Sequence, residues 1–173
     1  MKKLDADLLR GLDPCSDGSA WAKKTKTLRE AWETCPRSDW MLWALNKIGF
    51  VDDRKFRLYA CACVRGTPLA DGRTLWELLT DERSRTAVEV AERYAERKAT
   101  EEERAARDAA RASAWAAAWA AAWAAARASA GDAGDAAGDA AWAAARAWQA
   151  DLLRQWISWD EIETALAAYK ARQ

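Results

Sequence analysis

The sequence predicts an all-α protein: a compact single-domain bundle of about six to eight helices, several short, with C-terminal helices packed through Ala, Gly and Trp. Three observations predict it. Sustained apolar–polar alternation is missing and β-branched runs are few. Helix caps and breakers punctuate the chain at short intervals. Residues 101–150 hold 27 alanines and no Leu, Ile, Val, Met or Phe, and alanine is the strongest helix former.

The elements follow in order. Residues 19–35 form an amphipathic segment with Trp21, Leu28 and Trp32, ended by Pro36. Ser38 is placed to cap a helix bearing Trp40, Met41, Trp43, Leu45 and Ile48, closed by Gly49. Asp52 or Asp53 caps the next, RKFRLYACACV. A loop, RGTPLADGR, carries Pro68 and Asp71-Gly72 as turn signals. A short helix spans Thr74 to Leu79. Thr80 is placed to cap a longer helix through Ala87, Val88, Val90, Ala91, Tyr94 and Ala95. Thr100-x-x-Glu103 and Ser158-x-x-Glu161 read as capping boxes. One helix over 101–157 would run about 85 Å, whereas a compact chain of this size is about 40 Å across. The segment therefore folds back, near Ser129–Gly131 or among the tryptophans. Within the single domain, residues 1–37 read as an N-terminal helical extension, 38–157 as the core and 158–173 as a capped C-terminal helix.

Composition excludes several functions. Among 173 residues, 27 Lys and Arg balance 27 Asp and Glu, so neither general nucleic-acid binding nor a polybasic membrane anchor is expected. Mean hydropathy is −0.43, and no run of 18 apolar residues predicts a membrane span. The start, MKKLDADLLRGLD, lacks the apolar stretch of a secretory signal. There is no histidine, which removes the commonest general base and zinc ligand. Cys15, Cys35, Cys61 and Cys63 contain no CxxC pair and read as structural thiols of a reducing compartment. A cytoplasmic protein with no metal and no cofactor is expected, in the host cytosol if the chain is phage-encoded. A homo-oligomer is compatible with the sequence.

One stretch supplies a candidate site. Trp115, Trp119 and Trp123 recur every four residues and span about 80° of a helix face. Gly131, Gly134 and Gly138 form a stripe that Trp142 continues, with Asp132, Asp135 and Asp139 beside it. Arg146 lies on the aspartate face, and Arg107, Arg111 and Arg127 add positive charge. Close helix packing through small residues and indoles would explain the pattern. A ligand site would explain it too: indoles stack on planar rings, carboxylates accept from base or ribose donors, and arginines bind phosphate. The ligand-binding candidates are Trp115, Trp119 or Trp123 for the ring, Arg127 or Arg146 for the phosphate, and Asp132, Asp135 or Asp139 for the polar edge. No nucleophile–base pair, Gly-rich phosphate loop or metal motif is present, so an enzyme is the least expected reading.

The segments VDDRKFRLYACACV, LLTDERSRTAVEVAERYAERKATEEE and AGDAGDAAGDA, in that order, resemble the Imm-5-like immunity proteins over about residues 38–157. Similar Ala/Trp-rich proteins occur in phages and environmental bacteria. The resemblance implies an all-α core and, by the family's name, neutralisation of a protein toxin. Family members carry histidine in the Ala-Gly-His-Ala segment, where Asp132 stands here. Two functions are therefore expected. The first is a non-enzymatic binder, in a phage a counter-defence sponge for a nucleotide-type immune signal. The second is an immunity protein that binds a toxin directly.

If Gly131, Gly134 and Gly138 face a neighbouring helix, Gly134→Leu overpacks the contact and costs about 1–3 kcal/mol in urea unfolding. A neutral outcome would place the glycines in a loop.

Overall fold

The computed structural model describes residues 6–69, 71–96 and 135–172. The elements are α1 (Ala6–Leu12), α2 (Ser16–Ala22), α3 (Leu28–Thr34), α4 (Ser38–Lys47), α5 (Asp53–Gly66), α6 (Leu75–Leu78), α7 (Glu82–Ala95), α8 (Asp135–Trp156) and α9 (Trp159–Ala171). No strand occurs among the described residues, apart from one antiparallel bridge between Pro68 and Thr74. This is the all-α class that the caps and the missing alternation predict. The Thr100 capping box and the turn near Ser129–Gly131 lie outside the described residues.

Local chemistry explains most boundaries. Asp52 caps α5, its carboxylate accepting from the Lys55 N–H at 2.8 Å. Thr74 and Ser158 each close a capping box, with Glu77 and Glu161. Gly49 follows α4 at φ 74°, and the Phe50 N–H reaches back to the Leu45 carbonyl at 2.9 Å. That backbone turn favours glycine.

Three sequence expectations are corrected. The segment 19–35 is two helices, because Thr27 caps a new start by accepting from the Glu30 N–H at 3.0 Å. Helix α7 is capped by Asp81, not Thr80; a carboxylate accepts from the Arg83 N–H at 3.1 Å and complements the helix dipole. Ser38 is not the cap of α4. It is the first helical residue and is buried, the cap position belongs to Arg37, and no side chain caps this end.

The core is one cluster drawn from the whole described chain. It joins Leu8, Leu12 and Cys35 to Met41, Leu45, Ile48 and Tyr59, to Ala150, Leu153 and Ile157, and to Ile162 and Leu166. Residues 8–35 and 162–166 thus share the core of the middle segment. Trp21, Trp32, Trp40, Trp43, Trp156 and Trp159 pack around it, partly buried. Indoles suit this position, with an apolar body inward and an N–H left at the edge. Helix α5 packs against α6, α7 and α8, and α4 against α8.

Arginines satisfy the carbonyls that helix ends leave open. Arg154 donates to the Trp32 carbonyl at 2.9 Å and to that of Cys35, tying α8 to the end of α3. Arg172 donates to the Ile48 carbonyl at 3.1 Å, and Arg54 to that of Ala95 at 2.9 Å. Lys55 and Glu161 pair between α5 and α9.

A polar network joins α4, α5 and α8 beneath the surface. The Ser38 hydroxyl donates to Gln149 Oε1 at 3.1 Å, and Gln149 Nε2 donates to Thr67 Oγ1 at 3.1 Å. The Tyr59 hydroxyl donates to the Gln149 carbonyl at 3.2 Å. Ser38, Tyr59 and Thr67 are 4–5% exposed, so water cannot replace these bonds. Gln149→Leu is expected to cost about 1–3 kcal/mol for each hydroxyl left unpaired. Urea unfolding checks this, and a loss below about 0.5 kcal/mol would mean that the hydroxyls find other partners.

Candidate functional site

Helix α8 presents two constellations on opposite sides. Arg146 and Trp148 are two residues apart, about 200° around the helix.

The first is a cluster of arginines at the start of α4. Arg37 grips Asp39 with two hydrogen bonds, Nε at 2.8 Å and Nη2 at 2.6 Å. Its guanidinium lies 4.5 Å from the ring centroid of Trp40, and Trp21 stands against Trp40 at 6.1 Å and 49°. Arg146, reaching over from α8, lies 4.7 Å from the ring of Trp142. Burial pushes the Arg146 guanidinium below its ordinary pKa, and the Arg37 charge adds to this while Asp39 opposes it. Burial acts to raise the Asp39 carboxyl, but the Arg37 hydrogen bonds and charge, helped by Arg146, hold it below the usual range. Asp39 is therefore ionised at neutral pH. Two cations and one carboxylate leave one net positive charge. The uncapped N-terminus of α4 adds partial positive charge on the same side. The arrangement can accept an anion.

The second constellation is a groove of about 440 Å³ between α5, α7 and α8. Its walls are Leu58, Ala62, Gly66, Trp148, Leu152 and Trp156, and its charged members are Arg65, Glu92 and Glu96. Trp148, Leu152 and Trp156 recur every four residues and form one stripe of α8. Arg65 binds Glu92 through two hydrogen bonds, at 2.5 and 2.7 Å, and stacks over Trp76 at 4.1 Å. One cation against two carboxylates makes this groove unfavourable for phosphate and suited to apolar groups.

Cys35, Cys61 and Cys63 are packing groups, whereas Cys15 is exposed and caps α2, its Sγ accepting from the Gly18 N–H. Burial raises Cys61 and Cys63 to about 11, and it raises Cys35 as well, whose Sγ donates to the Arg37 carbonyl. A protonated thiol is a poor nucleophile and metal ligand.

Of the residues singled out from sequence, Trp115, Trp119, Trp123, Arg127 and Asp132 lie outside the described residues. Asp135 opens α8. Asp139 is exposed on α8, about 10 Å along the axis from Arg146. Arg146 lies over the Trp142 ring and within electrostatic range of Arg37 and Asp39. The sequence reading missed Arg37 and Asp39, whose only local sign is the run Arg37-Ser38-Asp39-Trp40 at a helix start. It also missed the Trp148–Leu152–Trp156 stripe, which carries the same four-residue spacing as the more regular tryptophans before it. Gly131 and Gly134 lie outside the described residues, and Gly138 is partly buried on α8.

No family model, curated protein or solved structure matches the chain. Among the described residues, no helix is long and apolar enough to cross a membrane.

Among the described glycines, Gly66 has the closest neighbour. A Cβ there would meet Trp148 Cη2 at 2.8 Å and Cζ2 at 2.9 Å. Gly66→Val is expected to destabilise by about 1–3 kcal/mol. The penalty should shrink when Trp148→Ala is added, because the two residues share one contact. Equal penalties in both backgrounds, by thermal melting, would refute the contact as the cause.

Proposed function

We propose that this chain is a non-catalytic binding protein for a small nucleotide-type ligand, with Arg37 and Arg146 receiving its phosphate. In a phage, such a protein would sequester a nucleotide immune signal. The observation that carries the reading is a pair of guanidinia lying over indoles, Arg37 over Trp40 and Arg146 over Trp142, of which Arg37 already holds Asp39. Stacking on Trp40 and Trp142 holds both planes in place before a ligand arrives, so little side-chain entropy is lost on binding. A phosphate oxygen would supply the negative charge that this partly buried group lacks. The sequence assigns the ring contact to Trp115, Trp119 or Trp123.

The immunity reading has its own support. Helices α5 and α7, which carry most of the resemblance to the Imm-5-like proteins, pack together and build the aromatic groove with α8. An apolar side chain of a toxin would fit it.

A melting panel of linear and cyclic nucleotides, followed by calorimetry, separates the two. Arg146→Ala is expected to weaken a phosphorylated ligand by about 1.5–3 kcal/mol, roughly ten- to a hundredfold, with little effect on an unphosphorylated nucleoside. If no nucleotide binds while a co-encoded toxin does, and Trp148→Ala weakens that complex, the immunity reading replaces the first.

A further inference from the structure

We draw no further inference here: the strongest candidate, the apolar groove that Trp148, Leu152 and Trp156 of α8 line together with α5 and α7, carries nothing because nothing in the structure shows what covers it.

Discussion

The described part of the molecule depends on one buried stripe that runs along α8 and onto the residue after it. Ala150, Leu153 and Ile157 are 0–1% exposed, and their three–four spacing fixes the rotation of the helix about its axis. Alanine at the first position lets the helix backbone approach its neighbours closely. Leucine and isoleucine then fill the space against Met41, Leu45, Ile48 and Tyr59. Gln149, beside the stripe, locks the same rotation with polar bonds to Ser38 and Thr67. A rotation by one residue would move Leu153 off the core and break the buried hydrogen bonds at once. The apolar and polar contacts therefore enforce the same register, which is the consistency expected of a single well-defined packing.

That register also decides what the surface can bind. With the stripe turned inward, Arg146 and Trp142 fall on the side of α4, and Trp148 and Trp156 on the side of α5 and α7. The electropositive cluster and the aromatic groove are separated by the body of a helix. A mononucleotide cannot place its phosphate on one and its ring in the other. The groove carries two carboxylates against one guanidinium, so it disfavours phosphate. The two faces thus suit different chemistry, an anion on one and an apolar group on the other.

Local features of the fold were legible in the sequence. Asp52 and Ser158 cap their helices because a side-chain oxygen next to an apolar-periodic run has a nearby N–H to satisfy, and Thr74, read as the first helical residue, does the same for α6. Gly49 ends α4 because the turn after it needs a positive φ. Ser38 misled because a distant residue outbid the local role: Gln149 takes its hydroxyl once α8 docks. The division of 19–35 was hidden because Trp21, Leu28 and Trp32 keep a helical spacing across a real break at Thr25–Thr27. Of the candidate site, Arg146 was legible as a cation near acidic and aromatic residues. Its partners Arg37 and Asp39 were not, since they come from the other end of the chain and only the packing of α4 on α8 brings them close. The regular Trp115–Trp123 repeat also drew attention from Trp148 and Trp156, whose spacing is the same but whose surroundings are less repetitive.

The other arginines set Arg146 apart from the structural uses of a guanidinium in this fold. Arg54, Arg85, Arg154 and Arg172 donate to carbonyls at helix ends. Arg29, Arg37, Arg65 and Arg73 each pair with a carboxylate. Apart from Arg37, which belongs to the proposed site, these uses are structural and self-contained. Arg146 and Arg57 instead stack on aromatic rings and have no ionic partner among the described residues. Arg57 lies on Tyr94 with no second guanidinium described beside it, and that stacking is stabilising by itself. Arg146 stands next to Arg37, so its charge is opposed by a like charge and by partial burial. On the proposed reading, an anion bound beside Arg146 would offset the like charge of Arg37 there.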